Sequence, residues 1–327
     1  MGVHIAVVGN GRIGRPTAYT LLNERIADEI SLVDVKPGLS WAFGEELKHA
    51  VASLRYDVEI NVYERDEDVS GADLIVVCPG KPRLPGVQMS RRDLVAENAD
   101  IIDYVAEAMP SNNRGARYVV VTNPVDAMAT LFKKLSKADF VIGTGDHPDT
   151  LRFRAKLAMD LGVPVSEVEG YVGGEHGSAA YGLWSTVKIR GTPVDDYLRS
   201  SKKKLNKDEV VEYVRSVSKK IVDIVGATEF GPAAGFRDII RSIIHDRNEI
   251  YSVAVSNRIP GIPEALNVSI PTRVGKKLGP NIWNDLTDEE RGNIAEAARA
   301  IYDNYLMGLA AIEKKQIRAS GSEEALG

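Results

Sequence analysis

The chain has a single cysteine, Cys78, among 327 residues. One thiol cannot close an internal disulfide, which excludes a disulfide-framed extracellular scaffold. Cys78 lies in the apolar run ADLIVVCPG, where a small buried thiol is expected rather than a nucleophile. No apolar run approaches the roughly 18 residues that a bilayer-spanning helix needs, so no membrane partner is expected. The first residues, MGVHIAVVGNG, carry no signal-peptide pattern and lead straight into a strand-like run, so a cytoplasmic location is expected. A long basic block is also missing. With a net charge of −5 and a pI near 5.7, duplex nucleic acid is a poor partner. The short run SKKKLNK, 201–207, reads as a solvated approach to a helix. The five histidines, at 4, 49, 147, 176 and 245, include no H-x-x-x-H or similar ligand spacing, so no metal site is expected.

What is present is ordinary globular composition, 44% hydrophobic and 27% charged, in a chain long enough for two domains. Through the first 145 residues, short Val/Ile-rich runs alternate with helical patterns. The runs are 3–9, 29–34, 58–63, 72–78, 117–122 and 140–144; helical segments include 12–25, 92–109 and 124–135. Continuous apolar runs suit strands buried on both faces, and the alternation predicts a doubly wound α/β parallel sheet. The second half differs. A helix begins near Pro148, a strand and Gly-rich turn follow at VEGYVGGEHG, and amphipathic helices are expected around 208–226 and 232–247. Strand-like segments lie at 250–256 and 267–270, a charged helix follows at 287–316, and the tail ASGSEEALG is expected to fray. The predicted domains are 1–145 and 146–327.

Three features carry chemistry. VVGNGRIG places Gly9, Gly11 and Gly14 in G-x-G-x-x-G spacing, directly after a strand and opening a helix. Such glycines permit a tight turn, close approach to a pyrophosphate and close helix–strand packing, with the helix N-terminus facing the phosphates. The next strand ends at Asp34, twenty residues beyond Gly14. A carboxylate there accepts from ribose hydroxyls and repels a 2′-phosphate, which favours NAD over NADP, although Lys36 works against that preference. Second, His176 sits in the turn of GYVGGEHGSAA, and GDHPDTLRFR supplies Asp149 and, one helical turn on, Arg152. Asp149 can hold an imidazole tautomer while Arg152 grips a carboxylate with its fork. Third, the loop PGKPRLPGVQMSRRDL, 79–94, concentrates Lys81, Arg83, Arg91 and Arg92 in an acidic protein. None of the 12 tyrosines has Lys four residues on, which disfavours the Tyr-x-x-x-Lys pair of short-chain reductases.

Together these stretches resemble the lactate/malate dehydrogenase family. The glycine fingerprint, LVDV (32–35), the loop ending RRDL, VTNPVD (121–126), PDTLRFR (148–154) and GGEHG (173–177) follow the family's order and about its spacings. The resemblance implies an N-terminal Rossmann domain followed by an α+β substrate domain, NAD as cofactor, and a homo-oligomer, a tetramer before a dimer. It implies His176 as proton donor and acceptor, Asp149 as its partner, Arg152 on the substrate's C1 carboxylate, and Asn123 on its oxygen. Arg91 would polarise the carbonyl from a closing loop. Cofactor contacts are implied for Gly9, Gly11, Arg12, Ile13, Gly14, Asp34, Asn98, Val121 and Asn123. Thr228 would stand at the substrate, with Pro232 opening the helix behind it.

Arg83 matches the position where malate enzymes of this family carry an arginine and lactate enzymes an uncharged residue. Beside a second substrate carboxylate it gains a charge-assisted contact; beside a methyl group it is left unpaired. A dicarboxylate substrate is therefore expected, with turnover between malate and oxaloacetate and a place in the tricarboxylic acid cycle. The loop is two residues longer than the usual malate form, which leaves Lys81 as a second candidate for discrimination. Ser178 replaces the acid often found after GEHG, and Thr228 is the lactate-type choice. Two rival readings stand beside this one: an L-lactate or broad 2-hydroxyacid dehydrogenase, and a non-catalytic NAD-binding sensor.

Overall fold

The computed structural model describes residues 2–81 and 91–324, with side chains for all of these except 91–92 and 318–324. Proximity of Cα atoms groups the chain into two compact units, Met1–Gly143 with Ile301–Gly327, and Thr144–Ala300.

The first unit alternates strand and helix: β1 (His4–Val8), α1 (Gly14–Asn23), β2 (Glu29–Val33), α2 (Leu39–Val51), β3 (Glu59–Tyr63), β4 (Leu74–Val77), α3 (Arg91–Ala108), β5 (Arg117–Val120), α4 (Val125–Ser136) and β6 (Val141–Gly143). All its strands pair in parallel in the order β3-β2-β1-β4-β5-β6. The doubly wound sheet expected from the Val/Ile runs is therefore present. Every residue of β1 and β4 is buried, because helices cover both faces of a parallel sheet. Fully burying side chains such as Ile5, Leu32 and Leu74 stabilises by roughly 1.5–3 kcal/mol each. The strand order reverses between β1 and its neighbours β2 and β4, and a ligand crevice is expected at the carboxyl ends there.

The second unit holds α5 (His147–Leu161), β7 (Val168–Gly174), β8 (Ala180–Ile189), β9 (Thr192–Pro193), α6 (Val194–Ser201), α7 (Lys207–Val225), α8 (Phe230–Ile244), β10 (Glu249–Asn257), β11 (Leu266–Val274) and β12 (Leu278–Asn281). Its strands are antiparallel in the order β10-β11-β7-β8-β9, with β12 against β11. A core of Phe153, Leu157, Leu161, Val172, Val187 and Ile189 clamps α5 onto β7 and β8. Phe153 lies edge-on to Trp184 at 5.1 Å between centroids. A Cβ on Gly170 or Gly182 would come within 3.2 and 3.1 Å of that Phe ring, so the small residues admit the aromatic.

Helix α9 (Asp288–Glu324) starts in the second unit and passes into the first at Ile301. There Gly308 lies against Ala99 of α3 and Leu131 of α4; a Cβ would meet both at 3.4 Å. The expected fraying of the tail is corrected in part: the backbone stays helical through 319–324, continuing the pattern that precedes it. Trp41 of α2 is 62% exposed, while Phe43 and Leu47 of the same helix are buried. That helix thus turns two of its bulky residues into its own unit and one outward.

Candidate active site

The second unit's site is built from the first turn of α5 and the end of β7. Phe153 and Leu157 occupy the buried face of α5, which fixes the rotation of the helix. Asp149, one turn before Phe153, is buried as a result. Thr150 Oγ1 accepts from the backbone N–H of Val172, which ties the first turn of α5 to β7. Beyond Val172 the chain passes through Gly174, at φ +116°, where a Cβ would lie 2.6 Å from the Ala179 carbonyl oxygen. Only glycine suits that bend. Two residues later His176 reaches Asp149.

The imidazole Nδ1 of His176 is 2.5 Å from Asp149 Oδ2, and Arg152 Nη1 donates to Asp149 Oδ1 at 2.5 Å. An ionised carboxylate only accepts, so Nδ1 carries a proton and Nε2 is the nitrogen that gains and loses one. Burial raises the pKa of Asp149, but His176 and Arg152 together outweigh it and hold the carboxyl below its usual range. The side chains of Asp149 and Arg152 are 5% and 16% exposed, and that of His176 23%, so the cluster is shielded while the imidazole keeps an open edge. The structure thus brings together the three residues expected to cooperate. Thr228 lies half-buried between α7 and α8, and no hydrogen bond joins it to the trio among the described residues.

One neighbour escaped the sequence reading. Asp146, fully buried, places Oδ1 3.9 Å from His176 Nδ1. Donor atoms of Asp146, Asp149 and His176 lie within 4.8 Å of one another. Both oxygens of Asp149 are already engaged by His176 and Arg152, so the group is an ion-pair cluster. The signal available in GDHPDTLRFR was an acid three residues before Asp149.

In the first unit, β1 runs into Gly9 at φ +87°, where a Cβ would lie 2.6 Å from Pro79 N. At Gly14, the first residue of α1, a Cβ would meet the Gly9 carbonyl oxygen at 1.9 Å. At Gly11 nothing lies within 4 Å of that position, and Gly11 and Arg12 are exposed while Ile13 is half-buried. This open ledge before a helix N-terminus fits a pyrophosphate. Asp34 follows β2 and accepts from Asn10 N–H at 2.8 Å and Lys36 N–H at 2.9 Å, which fixes the carboxylate at the sheet's carboxyl edge. A ribose fits there. The buried Asn98 of α3 joins two loops on that edge: its Oδ1 accepts from Lys81 N–H at 2.8 Å and its Nδ2 donates to the Asn123 carbonyl at 2.6 Å. Val121 is buried and Asn123 keeps its side chain exposed.

Of the loop cations, Lys81 pairs with Glu97 at 3.0 Å, which occupies it within its own unit. Arg83 lies outside the described residues. Arg91 is the first residue of α3, and its side chain is likewise outside them. Cys78 directly follows β4, and desolvation pushes its thiol up to about 12, which disfavours the nucleophilic thiolate. No helix among the described residues is long and apolar enough to cross a membrane.

Known proteins match this layout along nearly the whole chain. Residues 3–140 match the family model of the lactate/malate dehydrogenase NAD binding domain, and 148–311 that of its alpha/beta C-terminal domain. A malate dehydrogenase of Sulfolobus acidocaldarius is 39% identical over 312 residues, covering 95% of this chain and 99% of the relative. An L-lactate dehydrogenase of Halalkalibacterium halodurans is 31% identical over 305 residues, 92% of this chain and 96% of the relative. The fold is shared with the crystal structure of a lactate dehydrogenase from a deep-sea metagenome library, at TM-score 0.87 and 24% identity over 94% of this chain and 99% of that one. With a glycine ledge and a fixed Asp34 in one unit, and a His–Asp–Arg cluster in the other, this chain belongs to the lactate/malate dehydrogenase family of NAD-dependent oxidoreductases.

Proposed function

We propose that the protein is an NAD-dependent malate dehydrogenase, interconverting malate and oxaloacetate. The observation that carries the chemistry is the His176–Asp149–Arg152 cluster. The glycine ledge and Asp34 would hold NAD, which would supply the hydride-accepting chemistry for the oxidative direction. His176 takes the hydroxyl proton at Nε2 as malate is oxidised, and returns it as oxaloacetate is reduced. Asp149 fixes the ring and stabilises the imidazolium. Arg152, pinned by Asp149, offers its remaining N–H groups to the C1 carboxylate. Asn123 donates to the substrate oxygen, Arg91 stabilises charge growing on that oxygen, and Thr228 lines the substrate. Arg12, Ile13, Gly14, Asn98 and Val121 complete the cofactor's surroundings.

Arg83 supports malate over lactate, since a second carboxylate compensates an arginine that a methyl group would leave desolvated. The higher identity to the malate enzyme, 39% against 31%, points the same way. Thr228 favours the second reading, an L-lactate or broad 2-hydroxyacid dehydrogenase. Initial rates of NADH oxidation with oxaloacetate and with pyruvate, at equal concentrations, decide between them. Preference for oxaloacetate sustains the malate reading; preference for pyruvate replaces it with the lactate one; NADH binding without turnover leaves a nucleotide sensor. The same reading places the protein in the cytoplasm, in the tricarboxylic acid cycle, as a homotetramer, with the exposed Trp41 of α2 at a subunit contact.

A further inference from the structure

Asp146 occupies the N-cap position of α5, where an aspartate ordinarily accepts from an N–H of the first turn. Here its side chain makes no such cap bond. Its backbone N–H donates to Ser269 Oγ of β11 at 3.1 Å, and its carbonyl accepts from Thr150 N–H at 2.8 Å, so the main chain is held on both sides. The carboxylate is fully buried and stands 3.9 Å from His176 Nδ1. A neutral residue could hold this backbone equally well. Burying an ionised carboxylate is costly unless an opposite charge compensates it.

We propose that Asp146 is a second positioning carboxylate for His176, acting beside Asp149 to favour the protonated imidazole. The inference rests on the reading of His176 as the proton carrier. The charged groups around His176 include Asp149 and Asp146 from the start of α5, Arg152 of the same helix acting through Asp149, and the buried Glu175 next to it in the chain. Each of these carboxylates adds a negative charge beside the imidazole, and a neutral residue in place of Asp146 removes the one that stands 3.9 Å from Nδ1. The positive end of α5 lies at both carboxyl groups, a setting that favours negative charge. The additional anion therefore holds His176 in the form that donates a proton to a substrate carbonyl oxygen, which suits the reductive direction near neutral pH.

Asp146→Asn keeps the shape and removes the charge. Two readouts test it: the titration of His176 in protein labelled with ¹³C at histidine Cε1, assigned by loss of the signal in His176→Asn, and the pH profile of kcat/KM for oxaloacetate reduction. Both midpoints are expected to fall by about one pH unit or more in Asp146→Asn, as for loss of an opposite charge within about 4–6 Å. An unshifted titration overturns the proposal, whatever happens to activity. A shifted titration with an unshifted rate profile sustains the Asp146 contact and overturns the proton-carrier reading. If the amide variant does not fold, Asp146→Ser loses the same charge and carries the same expectation.

Discussion

Asp149 and His176, 27 positions apart in sequence, meet at 2.5 Å because the buried face of α5 sets the rotation of the first residue and the Gly174 bend sets the second. The contact fixes which imidazole nitrogen can exchange a proton. Replacing Asp149 by Asn removes the charge, and an amide can present its N–H₂ to the ring in place of an acceptor. A fall in kcat of about 10²–10⁴-fold is expected, by analogy with the acid of a hydrolase triad. NADH affinity, set by residues of the other unit, should change little. Stopped-flow kinetics with a fluorescence titration of NADH checks both.

Arg83→Gln should lower kcat/KM for oxaloacetate by about 10²-fold or more, the scale of a lost charge-assisted contact of about 3 kcal/mol, and raise the relative rate on pyruvate. Lys81 pairs with Glu97 at 3.0 Å, but both side chains are exposed, so the double variant with Lys81→Gln tests whether Lys81 shares the role. Unchanged oxaloacetate turnover would remove Arg83 from substrate recognition.

Asp34 accepts two backbone N–H groups with its two oxygens, Asn10 on Oδ2 and Lys36 on Oδ1. Asp34→Ser removes the charge that opposes a 2′-phosphate and leaves Lys36 nearby to attract one. The ratio of kcat/KM for NADH over NADPH should fall by about tenfold or more, equivalent to about 1.4 kcal/mol. A ratio that does not move would mean that discrimination resides elsewhere.

Asp66, just beyond β3, is buried, and its carboxyl is pushed from an ordinary 3.8 up to about 6, by burial first and then by the charges of Glu67 and Asp34. A carboxyl with a raised folded-state pKa contributes stability that is complete below its unfolded value and lost as pH rises through about 6. Asp66→Asn should therefore gain stability relative to wild type as pH rises from about 4.5 to about 7.5, by about 1–2 kcal/mol. Urea denaturation at the two pH values measures it. An equal difference at both would place the ionised carboxylate in a more polar setting than its burial implies.

Much of this was legible in the sequence, for physical reasons. Strands buried on both faces leave unbroken Val/Ile runs, so β1, β2, β4 and β5 could be read to within a residue or two. Gly9 and Gly14 were legible because only glycine meets their steric demands, whereas nothing in the protein crowds Gly11. Strand β8, AYGLWSTVKI, was not assigned: its burial alternates irregularly and it includes Gly182, which is there to admit Phe153. Asp146 was invisible for a different reason. As a helix-start acid it looks like an ordinary cap, and only the return of β7 brings His176 beside it.

The measurement that tests the central assignment most directly is the rate of NADH oxidation by oxaloacetate in wild type and His176→Asn, with NADH binding followed in parallel. Loss of about 10²–10⁴-fold in kcat with NADH binding intact is expected when the proton donor is removed. A variant that keeps wild-type turnover would contradict the role of His176 and, with it, the function built on the Asp149 contact.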